Sequence, residues 1–236
     1  MAAHFFVTGT DTDAGKTYCS TALLRGLLAS GVRCAALKPV ASGVDAAGHN
    51  TDASALAAVT GQTISAVNPI CFNLPTAPHL AAQAQGQSLS LQQLDALLVA
   101  TAPNQDNNLT LVEGAGGWLL PLNAQEYLAD WVIAHRWPVV LVVGVKLGCL
   151  NHSLLTVREL RRAGVPLLGY IANVLDPDMH YLAETLQDLC GRLPLPCLAT
   201  LPFAPQGPTD AQCAELAQAF LYNFRGGSKS ICAEIP

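Results

Sequence analysis

The sequence predicts a single-domain α/β fold, with a mostly parallel sheet flanked by helices on both faces. Short apolar runs alternate along the chain with segments of helical periodicity, and no interdomain linker interrupts its 236 residues. The apolar runs are nearly continuous, which is typical of strands buried on both faces of a parallel sheet. The predicted strands are residues 4–8, 33–37, 109–113, 139–143, 168–172 and 197–201.

Helices are predicted between these strands, and Gly31 and Gly164 follow two of them as C-terminal caps. The predicted helices are residues 16–30, 52–59, 91–100, 126–135, 153–163, 180–190 and 210–223. Residues 1–225 form the predicted domain, and residues 226–236 form a flexible C-terminal tail. Residues 68–78 hold three prolines and are predicted to be a loop, either at the rim of a site or as a plain surface connection.

Composition argues against several classes of partner. The net charge is −5 and no Lys/Arg cluster is present, so neither nucleic acid nor an anionic membrane surface is expected to bind. The strongest apolar run, residues 139–145, stops at Lys146 and is too short to span a bilayer. Because the chain also opens without a basic-then-apolar leader, a cytoplasmic location is expected.

Hydrophobic residues make up 51% of the chain, which is consistent with a large core and a subunit interface.

The eight cysteines are scattered and form no C-x-x-C pair. Neither a zinc site nor a disulfide framework is therefore expected, and most of the cysteines are predicted to be small buried hydrophobic residues.

The stretch of residues 9–17, Gly-Thr-Asp-Thr-Asp-Ala-Gly-Lys-Thr, is predicted to be a phosphate-binding loop. It follows an apolar strand and precedes a helix, so backbone N–H groups and a helix N-terminus should converge on an anion. Lys16 is then predicted to meet the terminal phosphates of a nucleotide, and the Thr17 hydroxyl to meet Mg²⁺. Five residues separate Gly9 from Gly15, where the common loop has four. The alternative is a glycine turn with an incidental Lys-Thr, which the strand-loop-helix context disfavours.

Further polar residues follow other predicted strands, where ligands of open α/β sheets collect. Lys38 follows the second strand and Glu113 ends the third, as in the Walker-B arrangement that orients a metal ion. Lys146, which follows the fourth strand, is as easily a site residue as a surface charge. Asp52 is either an ion ligand or a helix N-terminal carboxylate stabilised by the dipole, and its spacing does not decide between them. Residues 148–151 begin a helix whose N-terminus is a candidate site for a substrate carboxylate.

Together these motifs resemble the dethiobiotin synthetases, a P-loop NTPase-like family. The resemblance runs through residues 6–17, 38–43, 67–69, 112–118 and 142–152, and its phosphate loop has the same extra residue. It implies an ATP- and Mg²⁺-dependent cyclo-ligase that converts 7,8-diaminopelargonic acid and CO₂ to dethiobiotin through a carbamate and a carbamic-phosphoric anhydride. It also implies a homodimer whose substrate site lies near the interface.

The resemblance assigns roles to individual residues. Lys38, Lys16 and Thr12 would be catalytic, and Thr17, Asp52 and Glu113 would hold Mg²⁺. The implied nucleotide site is Asp13, Ala14, Gly15, Lys16, Thr17, Tyr18, Asp52, Glu113, Gly114, Ala115, Gly116, Asn173, Pro202, Phe203 and Ala204. The implied diamine and carbamate site is Thr12, Ser42, Gly116, Gly117 and, from the partner chain, Gly148, Cys149, Leu150 and Asn151.

Two departures from the family pattern leave questions open. Thr185 stands where some relatives carry a tyrosine that closes the substrate site, a role that Tyr181 could take instead. Residues 205–209 lack the acidic residue that some relatives place near the base, so nucleotide selectivity stays open.

The main rival function is a ParA/MinD-like switch ATPase. It fits less well, because such proteins carry a second lysine early in the loop, where this chain has Thr10 and Asp11. A cobyrinate-type amidotransferase would need a glutaminase domain, for which this chain is too short.

Overall fold

The fold is built on a six-stranded parallel sheet. The computed structural model describes residues 3–100, 109–227 and 230. The strands of the main sheet are β1 (Ala3–Gly9), β2 (Cys34–Leu37), β5 (Leu109–Gly117), β6 (Val139–Val145), β7 (Leu167–Val174) and β8 (Cys197–Leu201). Their order is β2-β5-β1-β6-β7-β8, and every neighbouring pair is parallel. The first strand therefore lies inside the sheet, between β5 and β6, so that the loop that follows it is surrounded by other strand ends.

A small second sheet continues from the end of β2. Its two parallel strands are β3 (Val40–Ser42) and β4 (Ile70–Phe72). Only two residues separate β2 from β3, so the chain passes from one sheet to the other at Lys38 and Pro39. This passage sets the direction of the Lys38 side chain.

Helices cover both faces of the main sheet. Within the described residues they are α1 (Lys16–Ala29), α2 (Thr51–Thr60), α3 (Ile64–Val67), α4 (Pro78–Ala84), α5 (Leu91–Ala100), α6 (Leu128–His135), α7 (Cys149–Arg162), α8 (Leu182–Arg192) and α9 (Asp210–Phe224). Alternation along β1 shows the two faces, because Phe5 packs with α1 and α9 whereas Phe6 packs with α5 and α6. A third apolar cluster joins β6 and β7 to α7 and α8.

The predicted fold class is confirmed, with all six predicted strands in the main sheet. Two features of the prediction are wrong. Residues 68–78 are not a continuous loop, because they contain β4 and Pro78 begins α4. The short elements β3 and α3 were also not predicted, because three or four residues are too few to show a period. The predicted tail, residues 226–236, falls mostly outside the described residues.

The cysteines follow the prediction in part. Cys19, Cys34, Cys149, Cys197 and Cys213 are buried free thiols. Cys190 differs from the expectation, because it is disulfide-bonded.

Within the described ranges, every helix is too short or too polar to cross a membrane.

Candidate active site

A cleft of about 800 Å³ opens at the carboxyl ends of the strands. The phosphate loop, the end of β2 with β3, the start of α2 and the end of β5 all contribute to its walls. This is the place at which open parallel sheets bind ligands. The predicted site residues that line it are Thr12, Asp13, Gly15, Lys16, Thr17, Tyr18, Lys38, Ser42, Asp52, Ala115 and Gly116.

Neighbouring strands fix the phosphate loop. The Thr10 N–H donates to the Val142 carbonyl of β6 at 2.9 Å, and the Asn173 amide of β7 donates to the Ala14 carbonyl at 3.0 Å. Gly15, with φ of 85°, turns the chain into α1. A side chain at Gly15 would be strained at this φ and would collide with the Asn173 amide, so the loop requires glycine there.

Lys16 is held over the same loop. Its Nζ donates to the Asp11 carbonyl at 3.2 Å, and its side chain is almost entirely buried. Burial, followed by the positive charge of Lys38, lowers the pKa of Lys16. The ammonium is therefore less stable in the cleft than in water, and a bound polyanion would relieve that cost.

Lys38 joins two carboxylates at the back of the cleft. Its Nζ lies 2.7 Å from Glu113 Oε1 and 3.0 Å from Asp52 Oδ2. Glu113 is fully buried and Lys38 is 3% exposed, whereas the Asp52 side chain is 45% exposed. Burial alone would lower the pKa of Lys38, but the two carboxylates outweigh it and raise that pKa. Lys38 is therefore a fixed cation at neutral pH.

The oxygens beside Lys38 suit a hard divalent cation. The Thr17 hydroxyl donates to Glu113 Oε1 at 2.8 Å, while Glu113 Oε2 is buried without a hydrogen-bond partner among the described residues. Burial opposes the ionisation of Asp52, but Lys38 outweighs this and lowers the pKa of that carboxyl. Among those residues no three His, Cys, Asp or Glu side chains form a metal cluster, yet Mg²⁺ commonly takes only one or two carboxylates with water and phosphate oxygens. The set Thr17, Asp52 and Glu113 fits that donor chemistry.

Ser42 lines the cleft beside a proline-rich rim. Its hydroxyl donates to the Thr76 carbonyl at 2.5 Å, and Pro75, Thr76, Ala77 and Pro78 line the cleft. Of the two alternatives for residues 68–78, the rim of the site therefore applies to residues 75–78. Because the Ser42 proton is used by Thr76, its oxygen lone pairs remain free to accept an N–H from a ligand.

The glycines after Glu113 serve more than one purpose. A side chain at Gly114 would come within 2.7 Å of the Phe6 ring, so close packing of β5 on β1 already requires glycine there. Gly116 lines the cleft, and a Cβ at this position would lie 3.7 Å from the Thr12 hydroxyl oxygen. Ala115 also lines the cleft, whereas Gly117 contributes no lining among the described residues.

The predicted base-binding residues lie to one side of the cleft. Phe203 is 53% exposed on the loop after β8, and the Tyr18 hydroxyl reaches the Ala204 carbonyl at 3.5 Å. Pro202 is exposed on the same loop. Asn173 is buried and already bonded to the phosphate loop.

The predicted carboxylate-binding segment, residues 148–151, is not among the described residues that line the cleft of its own chain. Gly148, with φ of 93°, precedes α7, which begins at Cys149. Cys149 is buried, Leu150 is partly exposed and Asn151 is exposed. Next to this segment Leu147 is 90% exposed. Lys146 forms an ion pair with Asp11 of the phosphate loop at 3.6 Å.

Two asparagines that shape the site were not predicted. Asn50 caps α2 by accepting from the Ala53 N–H, and its amide donates to the Gly43 carbonyl at 3.0 Å, which ties the start of α2 to the end of β3. Asn68 binds the backbone at Lys38. Asn50 carried the pattern of a helix cap, and Asn68 stood in the Val-Asn-Pro motif, but neither had a chemical role attached.

Comparisons with known proteins agree with this geometry. The family described as "AAA domain" matches residues 3–208. Among solved structures, cobyrinic acid a,c-diamide synthase from Mycobacterium smegmatis has a TM-score of 0.56 at 17% identity, covering 98% of each chain. The septum site-determining protein MinD from Pyrococcus horikoshii, solved with Mg-ADP, has a TM-score of 0.52 at 19% identity, covering 100% of each chain. These two similarities show the fold alone.

The sequence relatives are much closer. The ATP-dependent dethiobiotin synthetase BioD of Cellvibrio japonicus is 45% identical over 217 residues, which cover 90% of this chain and 94% of the relative. The match therefore spans most of both chains. With its phosphate loop, Lys38 and the end of β5 in one cleft, the chain belongs to the dethiobiotin synthetase family.

Proposed function

We propose that this chain is an ATP-dependent dethiobiotin synthetase. It converts 7,8-diaminopelargonic acid, CO₂ and ATP to dethiobiotin, ADP and phosphate. The observation that carries the proposal is the single cleft that joins the phosphate loop to Lys38 and Ser42. At about 800 Å³, this cleft has room for the phosphates of a nucleotide and a second small molecule side by side.

The residues supply charge stabilisation and orientation. Because its pKa is raised, Lys38 stays protonated and stabilises negative charge on the carbamate rather than acting as a base. Lys16 lies on the phosphate side of the cleft and stabilises charge on the phosphoryl group in transit. Thr12 and Ser42, which both line the cleft, orient the diamine and its carbamate. No covalent attachment to the protein is needed, because both amines belong to the substrate.

Mg²⁺ would be held by Thr17, Asp52 and Glu113. When bound, it neutralises phosphate charge. The buried Glu113 Oε2, which lacks a partner among the described residues, supports this assignment. Asp52→Ala and Glu113→Ala should each need much more Mg²⁺ for turnover. An unchanged Mg²⁺ requirement would remove that residue from the ligand set.

The remaining parts of the site are proposed from the family resemblance. Asp13, Ala14, Gly15 and Tyr18 would bind the nucleotide with Gly114, Ala115 and Gly116. Asn173 would bind adenine together with Pro202, Phe203 and Ala204, and the exposed Phe203 ring is free to contact a base. We further propose a cytoplasmic homodimer, in which Gly148, Cys149, Leu150 and Asn151 of one chain meet the substrate carboxylate bound by the other. The exposed Leu147 beside them is consistent with a covered surface.

A direct assay separates this function from the switch ATPase. Purified protein is incubated with ATP, Mg²⁺ and bicarbonate, with and without 7,8-diaminopelargonic acid, while ADP is measured and dethiobiotin is followed by mass spectrometry. We expect ADP to depend on the diamine and to match dethiobiotin in amount, and Lys38→Ala to bind ATP without turnover. ADP release that ignores the diamine would favour the switch ATPase, with which this chain shares a fold.

A further inference from the structure

Lys38 stands at a point where neither sheet holds its backbone. β2 ends at Leu37 and β3 begins at Val40, so Lys38 and Pro39 lie between the two sheets. The segment after α3 supplies the missing partners. The Lys38 N–H donates to the Val67 carbonyl at 2.7 Å, and the Lys38 carbonyl accepts from the Asn68 amide, also at 2.7 Å. The N–H and the carbonyl of Lys38 are therefore both held by the neighbouring residues Val67 and Asn68.

Asn68 also connects this point to the small sheet. Its amide nitrogen makes a second hydrogen bond, to the Ile70 carbonyl at the start of β4, at 2.9 Å. Asn68 is 7% exposed and Lys38 is 3% exposed, so water does not readily replace these bonds. One buried amide thus holds the end of β2 and the start of β4 in a fixed relation.

The position of the Lys38 backbone matters because its side chain must reach two acids on different elements. Glu113 is on β5 and Asp52 is on α2, and the Lys38 ammonium lies 3.0 Å or less from a carboxylate oxygen of each. A lysine side chain is flexible, so its ammonium is well placed only if its Cα is held and its partners are fixed. Asn68 meets the first condition, because it holds the Lys38 backbone in place.

We propose that Asn68 is a positioning residue that acts through Lys38. The proposal rests on the proposed function for its effect on turnover, but its structural part does not. Without the Asn68 amide, the Lys38 backbone should shift and its ammonium should leave the two carboxylates for part of the time. Misplacement of a reacting group by about 1 Å can cost on the order of a hundredfold in rate.

A structural test uses the scarcity of lysine in this chain. The sequence has four lysines, so protein labelled with ¹³C at the lysine ε-carbon gives four side-chain signals by NMR. Lys38→Arg identifies the Lys38 signal by its loss. We expect Asn68→Ala to shift or broaden that signal. The matched control is Asn223→Ala, because Asn223 is another buried asparagine whose amide donates to a backbone carbonyl, that of Ala219 at 2.8 Å in α9.

Both variants should lose stability, but only one should disturb Lys38. A merely structural role for Asn68 predicts that Asn68→Ala unfolds more easily while its Lys38 signal matches that of Asn223→Ala, and this result would overturn the proposal. If Asn68→Ala does not fold, Asn68→Ser keeps one hydroxyl donor for the two carbonyls. The same measurement on that variant decides the question, with a shifted Lys38 signal supporting the proposal and an unchanged one overturning it.

Kinetics then connect Lys38 to turnover. In Asn68→Ala we expect kcat to fall by about 10- to 100-fold. The dissociation constant for a non-hydrolysable ATP analogue should stay within about twofold of the wild-type value, because the Asn68 side chain bonds Lys38 and Ile70 and, within the described residues, makes no hydrogen bond to the phosphate loop. Wild-type kcat alongside a shifted Lys38 signal would overturn the catalytic part of the proposal. Wild-type protein that lacks diamine-dependent turnover would instead refute the proposed function and leave the NMR result unaffected.

Discussion

Lys38→Met should destabilise the protein far more than the same substitution at Lys146. Lys38 faces Glu113 at 2.7 Å, and at an effective dielectric constant of 20 this pair gains about 6 kcal/mol of Coulomb energy. Desolvation takes back several kcal/mol for each buried ion, so the net cost of removing one partner of a buried pair is about 3–5 kcal/mol. Asp52 adds less, because water reaches 45% of its side chain.

Lys146→Met is the matched control for stability. Lys146 pairs with Asp11 at 3.6 Å, but the two side chains are 41% and 49% exposed. Surface pairs of this kind contribute about 0–1 kcal/mol. The two variants thus remove the same charge and add the same side chain, and differ mainly in burial.

Urea denaturation measures both free energies of unfolding. For a domain of this length, about 3 kcal/mol corresponds to a fall in melting temperature of about 6–12 °C. Because Lys146→Met itself costs up to about 1 kcal/mol, the two variants should differ by at least about 2 kcal/mol, and we expect Lys38→Met to melt at least about 4 °C below Lys146→Met. If the two free energies of unfolding agree within about 1 kcal/mol, Glu113 and Asp52 do not need Lys38 to be stable in the fold, and burial does not make this ion pair more important than a surface pair. Turnover of Lys38→Met at the wild-type rate would separately remove Lys38 from the mechanism.

Three further predictions concern the metal, the pH dependence and the phosphate loop. Glu113→Gln should raise the Mg²⁺ concentration for half-maximal turnover at least about tenfold, a loss of about 1.4 kcal/mol, and an unchanged titration would contradict its role as a ligand. Hydrogen bonds from His135 and Trp131 lower the pKa of Asp95. The Asp95 carboxylate therefore stabilises the fold at neutral pH, and that contribution is lost as the pH falls through the lowered pKa. Asp95→Asn should be the less stable protein at pH 7, with the difference shrinking below about pH 4; a difference independent of pH in urea titrations would refute this. Gly15→Ala should weaken binding of an ATP analogue more than Gly31→Ala, because φ is positive at both glycines but only at Gly15 would the added methyl group meet a neighbouring side chain. Equal affinities would show that the loop tolerates the methyl group.

The parts of the fold that were predictable are those that the core dictates. Strands such as β6 are buried along their whole length, so their residues are apolar without interruption and the sequence shows them plainly. Short elements are different. β3 and β4 have three residues each, and they pair because α3 and Asn68 bring them together, which no local pattern in either strand records.

The site divides in the same way. Lys38 and Glu113 were predictable because a charge at the end of an apolar run is unusual and because lysine is scarce in this chain, although β5 continues past Glu113 to Gly117. Their distance from each other was not, since it depends on the register of β2 with β5, in which Leu37 pairs with Val112. Asn68 was not predictable as a positioning residue, because an amide bonded to a backbone carbonyl gives no signal in the sequence.

The surroundings of the two lysines of the cleft shift their pKa values in opposite directions, up for Lys38 and down for Lys16. This difference suits a site that must bind phosphate and carbamate separately. Lys38 is compensated by two acids before any ligand arrives, so its charge is permanent and its position is fixed. Lys16 is buried and has no equivalent ion pair with the described residues, and burial and Lys38 both lower its pKa. Its charge costs free energy that a polyanion would return, which makes the phosphate side of the cleft the one where binding is most strongly favoured. A ligand on the Lys38 side would gain less from charge alone, so on the proposed assignment orientation by Thr12 and Ser42 would supply more of its binding.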